Sequence, residues 1–303
     1  VTTLDTPPAP QPAAPVQPEP AARAEKTGLL LAGHMIAIVG AVMLCFVAQL
    51  TLIGGIKHDR DQNTAYTDFR VQLANATAPV GGLDNGRLLD SGTPVAILEI
   101  PKLGLQEVVL EGTSARTLKS GPGHLRNTPL PGQTGTSVIY GRKATYGGPF
   151  SRIDQLRAGD EIVVTTGQGE ARYMVSKVRR AGDKESPLPA GEGRLTLATA
   201  DGDYFLPTDV IRVDARQVTE EQAKTRQLPA FAVPDNEKAM VGDESALVPL
   251  VLWTLILVAA GVAVVYVRQR VGRWQAWVIG VPVVGAVGLT LADQAAALLP
   301  NMM

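Results

Sequence analysis

Three long stretches of the chain carry no charged side chain, and they frame everything between them. Gly28 to Ile56 is the first, Ser245 to Val267 the second and Trp274 to Ala292 the third. A helix needs roughly 20 apolar residues to cross the hydrocarbon layer, so membrane helices are expected at 28–56, 245–267 and 274–292. The first run is too long for the core of a secretory signal and has no clear small-residue cleavage site. The second and third are separated by Arg268-Gln269-Arg270-Val271-Gly272-Arg273, with three arginines and no acid, and read as a hairpin. Short basic loops stay on the cytoplasmic side. That rule places 268–273 inside, 57–244 outside, and the N-terminal tail with Arg23 and Lys26 inside. Residues 293–303 are then a short external tail.

Between these runs the pattern changes twice. Residues 1–27 are rich in Pro and Ala and lack periodic aliphatic positions, the composition of a disordered tail. Residues 57–93 are a stalk and linker, with a helix expected over 59–75 and a break at the Pro and Gly that follow. From Pro94 the apolar positions fall into short β-branched runs, at 95–100, 107–110, 136–140, 161–166, 171–178, 194–199 and 210–218. Gly, Pro and Asp clusters punctuate them. That spacing predicts an all-β barrel or sandwich over 94–220 rather than alternating β and α units, with 221–244 as a linker to the hairpin.

Composition narrows the chemistry. A formal net charge of -1 with no basic stripe excludes nucleic acid as a partner. The single cysteine, Cys45, lies inside the first apolar run, so there is no internal disulfide and no thiol for an aqueous site. His34, His58 and His124 are scattered, without the spacing of metal ligands. Neither a metal nor a cofactor is expected. His34 has no acidic partner within its span and is read as structural. Ala259 and Ala263 would let the last two helices pack closely.

A series of motifs in the middle segment resembles the sortase family, in the variants of high-GC Gram-positive bacteria. Ile97-Leu98-Glu99-Ile100-Pro101-Lys102-Leu103-Gly104 looks like the first barrel strand and its turn. Gly121-Pro122-Gly123-His124, Thr128-Pro129-Leu130-Pro131-Gly132 and Gly135-Thr136-Ser137-Val138-Ile139 match the family's approach to its catalytic-histidine strand. Gly141 to Phe150 resembles the "GHRxTxGxPF" motif, Gly159-Asp160-Glu161-Ile162 follows, and Leu195-Thr196-Leu197-Ala198-Thr199-Ala200 stands where sortases carry "LTLxTC". The resemblance implies a mainly β protein, an eight-stranded sortase-like barrel held outside the membrane by three transmembrane helices.

It also implies that three catalytic positions have been replaced. Ala200 stands for the cysteine nucleophile, Arg142 for the histidine and Asp209 for the arginine; Arg212 would take that last place only if the register slipped. A methyl group cannot attack a carbonyl, and a guanidinium stays protonated. In the resembled fold these positions face one cleft, so Arg142 and Asp209 are expected to form an ion pair across Ala200, with His124, Tyr140 and Tyr204 as groove residues. His124 as a replacement base and Ser137 as a replacement nucleophile are weighed against a loop hydrogen bond and an ordinary strand serine. Arg142 and Lys143 could equally be solvated loop charges.

The function these readings point to is a catalytically silent, membrane-anchored scaffold or binding subunit. Its partners would be other cell-envelope or membrane proteins, including an extended peptide. The rivals are a divergent transpeptidase or peptidase using unrecognised residues, and an assembly partner of an active sortase that binds through its hairpin.

Overall fold

The computed structural model describes Gly40 and residues 43–84, 87–204, 206–270 and 272–303. The expected tail of 1–27 lies outside the described residues, as do residues 28–39, 41 and 42 of the first expected span. Contacts divide the chain into a unit ending at Cys45 and a unit from Phe46 to Met303; the elements below belong to the second.

A π-helical turn at Gln49–Ile53 leads into α1, Gly54–Ala74, so the stalk helix starts earlier than the expected boundary at residue 57. The polar sequence of α1 leaves one narrow apolar stripe. Phe69, with Ala65, Tyr66 and Leu73, packs on Ile97, Val108 and Leu110. Burying Phe69 completely stabilises the contact by about 2–3 kcal/mol. Two polar clamps fix the register of helix against sheet. Gln62 Nε2 donates to Val108 O at 3.1 Å and its Oε1 accepts from Val108 N at 2.6 Å, while His58 Nε2 lies 3.1 Å from Glu107 Oε1. The helix stops at Asn75, and Ala76 then takes a left-handed turn at φ 53.

The barrel strands are β1, Pro94–Ile100; β2, Leu105–Glu111; β3, Gly123–His124; β4, Gly135–Tyr140; β5, Glu161–Thr166; β6, Gly169–Arg179; β7, Gly193–Asp203; and β8, Leu206–Gln217. They close a barrel in the order β8-β6-β5-β1-β2-β3-β4-β7. The β2/β3 and β4/β7 pairs are parallel and the others antiparallel. One-residue alternation sends Leu98, Ile100, Ile162, Val164, Leu195, Leu197, Ile211 and Val213 into a single core with Phe150. A four-residue helix, α2, Thr117–Ser120, bridges β2 and β3.

Two helices follow, α3, Leu247–Arg270, and α4, Arg273–Ala297. Both are long and apolar enough to cross a membrane, and no residue of α3 is buried by the protein. The base of the hairpin is closed by main-chain bonds from Asp243 N to Ala297 O, 2.8 Å, and from Asn301 N to Val241 O, 3.1 Å. The last helix runs past the expected boundary at 292: 293–297 are helical, and Asn301, Met302 and Met303 are buried. The physical reason is Asp293. Its charge ends the apolar run in the sequence, but partners in the barrel absorb that charge and the helix continues past it.

Candidate binding cleft

The cleft starts from strand alternation. Leu195 and Leu197 of β7 face the barrel core, so Ala198 and Ala200 face away from it. Across β7/β8, Val210 pairs with Ala200 and Arg212 with Ala198, and across β4/β7 Tyr140 pairs with Ala198. Directly paired residues share a face, so Tyr140, Ala198, Ala200, Val210 and Arg212 line one surface. Leu118 of α2, Met302 and the partly buried Ala239 and Met240 cover it, leaving Ala200 1% exposed. Burial raises the Tyr140 phenol above its ordinary range, and the charge of Arg212 opposes that rise.

Arg142, just beyond β4, is fully buried. Its Nη2 donates to Ala115 O at 2.9 Å, and its Nη1 to Thr145 Oγ1 at 2.9 Å and to Met303 O at 3.4 Å. Thr145 Oγ1 donates to the same Met303 oxygen at 2.6 Å. Lys143 N donates to Met302 O at 3.1 Å. Burial pulls the guanidinium down to about 10, partly offset by the Tyr146 and Asp293 charges, so it remains a cation at neutral pH.

The loop that holds these groups, 141–150, turns tightly. A Cβ at Gly141 would lie 2.4 Å from the Phe150 ring and one at Gly148, φ 52, 2.5 Å from Lys143 O. Tyr146 itself sits at φ 51, an unfavourable conformation for an aromatic residue. It is held there by its N–H bond to Leu50 O, 3.0 Å, and by its hydroxyl, which donates to Asp293 Oδ1 at 2.8 Å. Lys119 Nζ reaches the same carboxylate oxygen at 3.1 Å and Asp293 O at 2.6 Å. Arg142 and Lys119 stand 5.1 and 5.3 Å from the Tyr146 ring centre, close enough for cation–π attraction. Burial pulls the Lys119 amine down to about 8 against the opposing pull of Asp293. The Tyr146 phenol is raised, first by burial and then by Asp293.

Comparison with known proteins supplies the lineage. Residues 98–218 match the family model described as the sortase domain. The match covers nearly all of the barrel, which is similar to a sortase domain. Among curated relatives, Sortase D of Bacillus subtilis is 32% identical over 90 residues, covering 30% of this chain and 44% of that protein. Sortase SrtE1 of Streptomyces coelicolor is 28% identical over 169 residues, covering 52% of this chain and 46% of that protein. The chain thus spans less than half the length of these relatives. Among solved structures, a Clostridium perfringens sortase D5 transpeptidase aligns at 22% identity with a TM-score of 0.41, covering 54% of this chain and 98% of that one. Sortase C-1 of Actinomyces oris aligns at 27% identity and a TM-score of 0.37, covering 42% and 75%.

Within the barrel, the expected site residues separate. Ala200, Arg142 and Tyr140 border the cleft. Asp209 does not: it pairs with Asp201, one residue out of phase with Val210 and Ala200, and its Oδ1 accepts from Val210 N at 2.7 Å. The expected Arg142–Asp209 pair is absent because the two side chains lie on opposite faces. The residue that shares the Ala200 face is Arg212, with no slip of register. His124 is not a groove residue. It is buried in β3, with Nδ1 2.9 Å from Glu111 Oε2 and Nε2 3.0 Å from Pro129 O. Tyr204 is exposed at the β7–β8 turn, 5.9 Å from Lys143 Nζ. Ser137 is buried in β4 and its hydroxyl has no partner there.

The sequence reading named Arg212 only as an alternative that needed a slipped register, and it missed Asp293, Met302 and Met303. For Arg212 the signal was present, since Ile211, Val213 and Ala215 alternate and leave Arg212 on the other face. Chemically the cleft offers two guanidinium groups, a phenol and main-chain oxygens around a methyl group. Among the described residues, no group of three His, Cys, Asp or Glu side chains is arranged to hold a metal ion.

Proposed function

We propose that this chain is a membrane-anchored, catalytically silent member of the sortase family that works by binding, as a scaffold or assembly subunit of a cell envelope. The observation that carries this reading is the chemistry at residue 200. An alanine ends the Leu-Thr-Leu-Ala-Thr run, it is packed against Met302, and the one cysteine of the sequence is at position 45. Covalent acyl transfer needs a nucleophile and a proton acceptor within hydrogen-bond reach. A methyl group is no nucleophile, and Arg142 keeps its proton. Losing a nucleophile costs on the order of a million-fold in turnover.

The anchoring part of the proposal is a multi-pass topology, with 57–244 outside, 268–273 inside and 28–56 as a third crossing. It is supported by the apolar α3–α4 hairpin and by the closed hairpin base, which keeps residues 298–303 on the same side as the barrel. The proposed partners are envelope or membrane proteins. One relative of known structure, a Clostridium perfringens sortase C, is described with a C-terminal cell wall sorting motif, so extended peptides of that kind are the first ligands to test. A second surface is an open cleft of about 860 Å3 between α1, α2 and the linker, bordered by Arg60, Asp61, Arg116 and Glu237.

The test is purification of the full chain from native membranes, with assays of sorting-signal peptides on the same material. One stoichiometric envelope partner and no cleavage or transpeptidation is the expected result. Turnover abolished by substitution at Arg142 or Ala200 would replace this reading with a divergent transpeptidase.

A further inference from the structure

The replaced side chains around Ala200 have a use in the structure, and it is the same for each. Arg142 is wholly buried, yet no Asp or Glu side chain touches it. Its hydrogen bonds go to Ala115 O, Thr145 Oγ1 and Met303 O, and its Nε has no partner. A buried guanidinium left without acceptors is strongly disfavoured. Thr145, the other acceptor on Nη1, turns its own hydroxyl hydrogen to Met303 O. Withdrawing residues 301–303 would leave Arg142 with Thr145 and one firm main-chain acceptor, Ala115 O.

The apolar half of the contact is equally specific. Met302 is fully buried against Leu118, Ala198, Ala200 and Val210. Flexible, unbranched methionine suits an irregular gap, and a residue no larger than alanine at 200 leaves that gap open. Asn301 completes the seat: its Nδ2 donates to Thr113 O at 2.8 Å and to Lys238 O at 2.9 Å. All three residues follow directly on α4, whose last turns are held by Lys119 and Tyr146 through Asp293.

We propose that the cleft of Ala200 is a receptor site for the chain's own segment Asn301–Met303, with Arg142 as the main-chain oxygen acceptor's partner and Ala200 as the floor under Met302. The segment straps α4 to the barrel and closes the cleft to other peptides. This inference rests on the silent-cleft reading only for its assignment of Ala200 and Arg142. An open cleft would overturn the strap while leaving the absence of turnover untouched.

The experiment uses the full chain in native-like membranes, with Cys45→Ser as background and a membrane-impermeant maleimide as probe. Met302→Cys and, separately, Ala200→Cys are expected to label about tenfold or more slowly than the exposed control Lys184→Cys, because reaction must await local opening. Adding Met302→Gly with Met303→Gly should speed labelling of Ala200→Cys by about tenfold and leave Lys184→Cys unchanged. Arg142→His, which cannot span Ala115 O and Met303 O together, should speed labelling of Met302→Cys. If Met302→Cys reacts as fast as Lys184→Cys, the segment is not seated and the proposal fails. It also fails if Arg142→His melts as the parent does and leaves the Met302→Cys rate unchanged. The Met302→Cys arm leaves Ala200 and Arg142 in place and is read by itself, so misfolding of the other variants does not protect the proposal.

Discussion

The Tyr146 hydroxyl donates to Asp293 Oδ1 at 2.8 Å across 147 positions of sequence. That bond joins the loop bearing Arg142 to the last turns of α4, and Lys119 shares the same carboxylate oxygen at 3.1 Å. Replacing the acid by an amide leaves a nearly buried lysine without its counter-charge and a single neutral oxygen for the lysine and the buried phenol to share. Asp293→Asn should therefore lower the stability of the folded chain by about 2–3 kcal/mol, somewhat under the roughly 3–5 expected when one partner of a fully buried pair is lost. Thermal unfolding in detergent, followed by near-ultraviolet circular dichroism, measures it. Tyr146→Phe should cost less than Asp293→Asn, about 1.5–3 kcal/mol for a bond to a charged group.

The same cluster predicts a pH response in the alkaline range. Burial holds Lys119 near 8 in the folded chain, against 10.5 for an ordinary lysine. Between these values the unfolded chain binds a proton that the folded chain has released, so stability rises with pH. Tyr146, raised above 10, opposes this trend only at still higher pH, where the unfolded phenol ionises first. Denaturant midpoints should increase from about pH 8 to about pH 10, and Lys119→Met should flatten the rise. A decrease over that window in the parent chain contradicts the assignment.

His58 gives a response of opposite sign from pH 6.5 upward. Burial pulls its imidazole down, but the bond to Glu107 and the charges of Glu107 and Asp59 outweigh burial and hold it above 6.5. Its contribution is complete below pH 6.5 and is lost as pH rises through the folded value. His58→Gln should remove that loss and loosen α1 from β2, read as faster amide exchange at Val108 and its neighbours.

Restoring the thiol alone should not restore chemistry. Ala200→Cys places a nucleophile among Arg142, Arg212 and Tyr140, and none of these is a base at neutral pH. The variant should form no acyl-enzyme with sorting-signal peptides by mass spectrometry. Accumulation of an acyl-enzyme would show that another group takes the proton.

Orientation in the membrane is checked by cysteine labelling in the Cys45→Ser background. Lys184→Cys should react with an impermeant maleimide in intact cells, and Gln269→Cys only after lysis, because basic turns stay inside. The reverse pattern rejects the topology.

The barrel was legible where alternation was long enough to read. Glu161–Thr166 shows why: Ile162, Val164 and Thr166 are buried and the residues between them are not. The two C-terminal helices followed from length and lack of charge. Gly123–His124 is a strand of only two residues, too short for any period. The face of Asp209 was misjudged because the β7/β8 pairing shifts between Pro207 and Asp209, and a one-residue shift reverses every side chain. The seat of Met302 was invisible for a different reason. Its partners, Leu118, Ala198 and Val210, are local nowhere in the sequence, and an acid at 293 looked like the end of a helix rather than its fastening.

Closure of the hairpin base by Asp243 N with Ala297 O and Asn301 N with Val241 O bears on where this protein can act. A domain on a long flexible linker sweeps a volume set by the linker's length. Here the chain enters and leaves the hairpin at one hydrogen-bonded point, and α1 is clamped along the barrel wall by Gln62 and His58. With α3 and α4 in lipid, the barrel would stand at one height and one angle above the bilayer, like a fixed bracket rather than a tethered float. A partner would have to present its binding segment at that height, which selects proteins that are themselves held at the membrane over those free in the surrounding medium.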